Sequence, residues 1–371
     1  MKKIVFIAKT DLNTDGRILN QLKILENTYP EQLIDFILLP DKPLKISCGD
    51  NVKMHIINTQ FRNNKFLRVF TVLEFIVKSL YLLFKLKPHI LHAQDTAIVQ
   101  PVILYKFFRG STFKLIYDDH EIPNENERFT KRILNKIEEL VLKKADHNIF
   151  ANEERMEVLR KELSLKTNCS YFLNLPYFDD EESSIELSEN DKNSLNELDN
   201  SIRKGCKFIV HQGVLRIERG EERLAELSRI LPEKYKILLL GGNEIEYEKF
   251  IEKYKLDKAK FYFRGSVNYL FLPKYWERGI ASIVMYLPTY INNRLCAPNR
   301  FYISIQKGLP VIVNKNNPVL SNFIEKYHCG TYIEDLNATN ISRSIENLKI
   351  KEDMFKSLKK KQVEDFLNAY R

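Results

Sequence analysis

A chain of 371 residues with 44% hydrophobic and 29% charged positions holds enough apolar side chains for two domain cores. The net charge of +9 and a pI near 9.0 point to a negatively charged partner, and without a nucleic-acid-binding signature that partner is a phosphorylated substrate or an anionic membrane, with no nucleic acid. Five dispersed cysteines, with no C-x-x-C pair and no metal-ligand spacing, exclude a disulfide framework and read as reduced thiols.

The N-terminus, MKKIVFIAKTD, is basic and then apolar, but the apolar run is only Ile4–Ala8 and no small-residue cleavage site follows. It predicts a first strand, Lys3–Ala8. A helix over Arg17–Leu25 follows, with Ile18, Leu22 and Leu25 on one face. In the intervening turn, Gly16 permits close backbone approach to an anion or a sugar hydroxyl, while Asp15 reads most simply as a helix N-cap. Strands are expected at Ile34–Leu39 and Lys53–Ile57.

The segment 64–87 places Phe66, Val69, Phe70, Leu73, Ile76, Val77, Leu80 and Phe84 at helical spacing, edged by Lys65, Arg68, Lys78, Lys85 and Lys87. Two readings are open: a wide apolar face packed on the sheet with basic stems along its rim, expected for most of it, or an exposed edge resting on anionic lipid. No stretch approaches the roughly 20 apolar residues of a membrane span, so a cytoplasmic protein is expected.

His89–Asp95 and Phe113–Glu121 read as buried strands ending in polar residues. The strand–helix alternation predicts a parallel sheet covered on both faces. Ligands bind such sheets beyond the carboxyl ends of the strands, where Asp95, Asp119, His120 and Glu121 fall. Residues 176–204 are acidic and polar and read as an interdomain connection, with a short helix near Lys192–Ile202.

Beyond it, the strand Phe208–Gln212 runs into Gly213 and a basic loop with Arg216 and Arg219, then Gly220 and a helix. Strands Tyr235–Gly242 and Ala259–Val267 follow, the latter holding Phe263-Arg264-Gly265. In LCAPNRFYISIQKGLPVIV (Leu295–Val313), Pro298 suits a first helical turn, Gly308 a helix stop, and Leu309–Val313 a strand. A helix opening at Asn299 and Arg300 directs free N–H groups, a positive dipole end and a guanidinium at an anion. A last helix carries Phe355, Leu358, Val363, Phe366 and Leu367.

Gly213, Arg219-Gly220, Gly241, Phe263-Arg264-Gly265 and APNR…KGLPVI, in that order, resemble the nucleotide domain of the family 4-like retaining glycosyltransferases of the GT-B fold, of the bacterial surface-polysaccharide type. The resemblance implies an α/β protein of two Rossmann-like domains facing across a cleft: 1–175 on the acceptor side, 176–205 as linker, 206–350 for the nucleotide-sugar, and 351–371 as a helix packing back on the first domain. It implies that Arg219, Arg216, Gly213, Gly265, Asn299 and Arg300 bind the donor. It also implies that His120, with Asp119 and Glu121 in a YDDHE matching the family's YDxHE, serves catalysis, and that Gly16, Arg17 and Asp95 lie on the acceptor side. Retention at the anomeric carbon, a nucleotide-sugar as co-substrate, a glycan or lipid-linked acceptor and metal-independent chemistry without a cofactor are further implications.

The sequence departs from that pattern at two glutamates, eight residues apart, whose positions are Leu295 and Ile303. The second normally grips the ribose hydroxyls, a contact isoleucine cannot make. This departure keeps a second expectation open, a non-catalytic GT-B partner in a glycan-assembly complex. A nucleotide-sugar epimerase on the same fold is a third.

Overall fold

The protein is described by a computed structural model, which covers residues 2–45, 48–61, 67–123, 129–176, 187–268 and 271–371. Contacts divide the chain into two units, Met1–Leu173 with Lys360–Arg371, and Asn174–Lys359.

The first unit opens with strand β1 (Ile4–Thr10), helix α1 (Gly16–Thr28), β2 (Ile34–Pro40), β3 (Val52–Ile56) and α2 (Arg68–Leu86). It continues through β4 (Ile90–Gln94), α3 (Val99–Arg109), β5 (Lys114–Asp119), α4 (Phe129–Lys144), β6 (His147–Phe150), α5 (Glu153–Glu162) and β7 (Asn168–Tyr171). Among the described residues these strands form one parallel sheet in the order β3-β2-β1-β4-β5-β6-β7. β4 is buried along its whole length and β5 at every residue but its first, as expected for parallel strands covered on both faces. The strand order reverses at β1 and β4. Chains therefore leave the sheet in opposite directions there and open a crevice at the carboxyl ends.

The second unit begins with α6 (Glu189–Arg203), then β8 (Lys207–Gln212), α7 (Glu221–Ile230), β9 (Tyr235–Leu240), α8 (Glu244–Tyr254) and β10 (Phe261–Gly265). α9 (Leu272–Trp276), β11 (Gly279–Ile283), α10 (Ile291–Arg294), α11 (Asn299–Gln306) and β12 (Val311–Val313) follow. α12 (Pro318–Tyr327), β13 (Gly330–Tyr332), α13 (Ile341–Glu346) and α14 (Glu352–Asn368) complete the chain. The sheet order is β10-β9-β8-β11-β12-β13, reversing at β8 and β11.

Three expectations change. The stretch read as a connection with a short helix near Lys192–Ile202 holds a longer one, α6, whose Leu195 and Leu198 pack with Trp276, Phe208 and Val210, while its Asp191 accepts hydrogen bonds from Arg264 (2.6 Å) and Tyr275 (2.8 Å). Its polar composition hid two core leucines and an internal ion pair; residues 177–186 of that stretch lie outside the described residues. β6 and β7, four residues each, went unpredicted because His147, Asn148, Asn168 and Ser170 mask them.

The third concerns α2. Its inward side is Phe75, Ser79 and Leu83, whereas Phe70, Leu73, Val77 and Phe84, expected mostly in the core, are exposed, as is Tyr81. The apolar strip continues onto α3, where Phe84 meets Phe108 at 6.1 Å between ring centroids and Phe107 lies 81% exposed. Phe66 of the expected stripe lies outside the described residues. No helix among the described residues is long and apolar enough to cross a membrane.

Candidate functional site

Polar side chains gather at the switch point of each sheet, and the two groups are described separately. In the first unit α1 starts at Gly16 because Asp15 caps it, accepting from the Ile18 N–H at 3.1 Å and the Thr10 hydroxyl at 2.7 Å. The next residue, Arg17, turns into the protein. Its Nε and Nη2 hold the Asp118 carboxylate at 3.1 and 2.6 Å, it donates to the Phe150 and Phe172 carbonyls, and it lies over the Phe172 ring. Gln21, one helical turn on, donates to Asp118 at 2.6 Å. Arg17, expected on the acceptor side, is thus buried in a bidentate ion pair, and Gly16 begins the helix.

His120 follows β5 with 21% of its side chain exposed, Nε2 2.9 Å from Gln94 Oε1 and 3.7 Å from Asp118. Burial alone would lower its pKa, but the Asp118 charge outweighs it and raises the group to about 9. Burial works against Asp118 too, yet Arg17 and His120 hold its carboxyl far below the ordinary range. A group whose pKa is raised on folding adds stability that is complete below its unfolded value, near 6.5, and is lost as pH rises through its folded one. Wild-type protein should therefore lose on the order of 2–3 kcal/mol between pH 6.5 and 9.5 that His120→Asn does not lose. Urea midpoints at the two pH values decide; equal losses would remove the imidazolium.

Asp119, expected beside His120 in catalysis, is buried. It shares its surroundings with Glu138 and Asp95, and burial, Glu138 and Asp95 together push its pKa up. Burial also raises Glu138, which accepts hydrogen bonds from Tyr117 and Thr96. Asp119 thus lies in a buried cluster of carboxyls that disfavours its charged form. Glu121 is exposed. Asp95 sits at φ 67° and ψ 167°, a backbone that costs a non-glycine residue about 1–3 kcal/mol, and its N–H donates to the Asp118 carbonyl at 2.9 Å. Such strain at the mouth of a strand marks a position fixed by its surroundings.

In the second unit the loop after β8 returns against the end of β11, where the Leu287 N–H donates to the Glu218 carbonyl at 3.0 Å. Asn314 brackets Tyr286 by bonding both its N–H and its carbonyl at 3.1 Å. Two guanidiniums meet that phenol ring, Arg219 at 4.1 Å and Arg300 at 5.2 Å from its centroid. Arg300 is buried, donating to the Gln212 and Met285 carbonyls, and a Cβ at Gly213 would lie 2.6 Å from its Nη1. Only glycine fits there, also because φ is +132°. Burial lowers the Arg300 pKa to about 10; burial and then Arg300 lower that of Arg219. Among the described residues no carboxylate forms a salt bridge with either arginine, and Glu218 acts on Arg219 only as the last of its influences. Two adjacent cations with no salt-bridged carboxylate are an arrangement able to hold an anion.

His211, which the sequence offers only as a structural or surface histidine, lies beside them. It is buried, neither ring nitrogen has a hydrogen-bond partner among the described residues, and burial with the two arginines pushes it down to about 3. Of the remaining expected donor residues, Asn299 donates to the Asn174 carbonyl at 3.0 Å, and the Gly265 carbonyl accepts from Gly241. Arg216 is exposed, with Glu218 at 3.9 Å, and stays outside the cluster. Arg300 contributes through its side chain behind Gly213. Ile303 is fully buried against Trp276, Tyr275 and Val210, and Leu295 is buried as well. Among the described residues no group of three His, Cys, Asp or Glu side chains is arranged to hold a metal ion.

No protein-family profile and no curated protein matches the sequence. Solved structures do match along the whole chain. Anabaena HepE, in complex with UDP, is similar with a TM-score of 0.67 at 13% identity, over 99% of this chain and 97% of that one. The lipopolysaccharide outer core galactosyltransferase WaaB gives 0.67 at 13% identity, over 99% of each. Sucrose-phosphate synthase from Thermosynechococcus elongatus gives 0.64 at 13% identity, over 100% and 95%. The fold is GT-B. At these identities the likeness shows the fold alone, and what this GT-B chain does rests on its own side chains.

Proposed function

We propose that this GT-B protein is a glycosyltransferase that moves a sugar from a nucleotide-sugar to a glycan or lipid-linked acceptor. The observation that carries the reading is the pair Arg219 and Arg300 on Tyr286, with no salt-bridged carboxylate, at the switch point of the second sheet. A leaving nucleoside diphosphate is the anion such a pair stabilises. In the reaction the acceptor hydroxyl oxygen bonds to the anomeric carbon, the bond from that carbon to the diphosphate breaks, and the acceptor proton leaves to solvent or phosphate. His120 donates a hydrogen bond to a hydroxyl of the reacting sugar. Retention of configuration and a role in surface-polysaccharide synthesis belong to the same reading, supported by the order of motifs.

The test is thermal unfolding against a panel of nucleoside diphosphates and nucleotide-sugars. A ligand at 100 times its Kd should stabilise the fold by about 2.7 kcal/mol. No shift with any of them would favour the second reading, a non-catalytic partner, to which buried Ile303 already lends weight because it offers nothing to a ribose.

The same proposal places the first unit against an anionic membrane. The exposed strip Phe70, Val77, Tyr81, Phe84, Phe108 and Phe107 is edged by Lys85 and Lys87, and the chain carries +9 overall. Co-sedimentation with vesicles of anionic phospholipid should fall at least about fivefold in Phe107→Ser/Phe108→Ser, each buried ring being worth over a kcal/mol. Equal sedimentation of the variant would remove this surface from the reading.

A further inference from the structure

A polar ladder runs inward from His120 through the core of the first unit, and the identity of each group on it is forced by its neighbour. Arg17 can only donate, so the Asp118 oxygens that face it accept. Asp118 is ionised, so Gln21 must turn its Nε2 toward it, at 2.6 Å, leaving Gln21 Oε1 facing Gln94. That oxygen needs a donor, which is Gln94 Nε2 at 2.6 Å. The second hydrogen of the same amide points to His92 Nε2 at 3.1 Å, which must accept. His92, fully buried and pushed down to about 3 chiefly by burial, is neutral, so its single proton sits on Nδ1 and is donated to the Tyr370 hydroxyl. With Gln94 Nε2 committed, Gln94 Oε1 faces His120 Nε2 at 2.9 Å, and that nitrogen must carry hydrogen in either charge state.

We infer that Gln94 and Tyr370 are positioning residues for His120: the ladder keeps a proton on Nε2 and leaves Nδ1 as the ring atom that takes or gives one. Nδ1 has no hydrogen-bond partner among the described residues, and the ring is part exposed. A residue contributed from the far end of the chain, 278 positions from His92, thereby sets the tautomer of a group beside the first unit's switch point. The charged and titratable groups that act on His120 are Asp118 and Asp119 of β5, Asp95 and His92 of β4 and its end, and Arg17 of α1. Glu138 of α4 and Arg155 of α5, which donates to the His120 carbonyl, complete the set. The arrangement rests on the glycosyltransferase reading only for the use made of the Nδ1 proton.

The test is NMR of the full chain labelled with ¹⁵N-histidine, with His120 assigned from the signal lost in His120→Gln. Above its titration, wild-type His120 should hold the Nε2–H tautomer over the other by more than about tenfold, since the alternative buries opposed lone pairs. Gln94→Met should mix the tautomers and lower the titration by about one pH unit, an acceptor of the charged form being lost. Tyr370→Phe should shift the His92 signals and, through Gln94, those of His120; it decides the matter should Gln94→Met fail to fold by circular dichroism. An Nδ1–H tautomer in the wild type, or an unchanged His120 spectrum in a folded variant, overturns the inference. Nucleoside-diphosphate melting shifts on the same samples report on the second unit, so failure of the functional reading is seen apart from failure of the ladder.

Discussion

Asp118→Ala should be the most damaging single change in the first unit, costing about 3–5 kcal/mol. The carboxylate is fully buried and answers three donors at once, two from Arg17 and one from Gln21. Alanine would leave a buried guanidinium without its counter-charge, against a total stability of about 5–15 kcal/mol for a folded domain. Much of that cost belongs to the stranded cation, so Arg17→Met combined with Asp118→Leu should recover most of it. Urea unfolding by far-UV circular dichroism checks this. The single tryptophan, Trp276, lies buried in the second unit and reports on that unit alone. A midpoint unchanged in Asp118→Ala would show that the pair does not hold the first unit together.

Arg219→Ala should act oppositely, leaving the fold intact while weakening nucleotide binding about 10- to 100-fold. Arg219 has no carboxylate to strand, and its loss relieves repulsion on Arg300, so melting without ligand should stay level or rise. With ligand, one charge-assisted contact worth about 1.5–3 kcal/mol disappears. Arg219→Lys keeps the charge but not the planar stacking on Tyr286 and should fall between the two. The titration is read as the nucleoside-diphosphate concentration giving half the melting shift. A full shift in Arg219→Ala would place the anion elsewhere. Arg300 is a poorer test, because its bonds to the Gln212 and Met285 carbonyls also hold β8 against β11.

The sequence made the two sheets legible because parallel strands buried on both faces are continuous apolar runs, such as IVFIA in β1 and YKILLL in β9. The loop that carries Arg219 could be read from its place between a strand, a glycine and a helix. Arg17 could not, since one residue decides whether a side chain after a cap points out or in, and its partner Asp118 is 101 positions away. Asp119 and His120 are adjacent and were read as one functional pair, but β5 ends between them: Asp119 is its last, buried residue and His120 stands beyond it, part exposed. Gln94, Gln21 and Tyr370 gave no signal, because hydrogen-bonding glutamines and a tyrosine look alike in a core and on a surface. The α2 stripe was misread for a related reason: periodicity shows that a face is apolar but not what covers it.

The first unit is completed by Tyr370 and Phe366, which reach His92 from beyond the whole of the second unit. On the ribosome, His92 is therefore made long before its hydroxyl partner, and the half-finished unit emerges with that proton unanswered and the Phe172 ring bare of Phe366. The second unit can mature as one uninterrupted stretch of nascent chain while the first waits for it. Translation order thus runs against completion order: the part synthesised first is the part finished last.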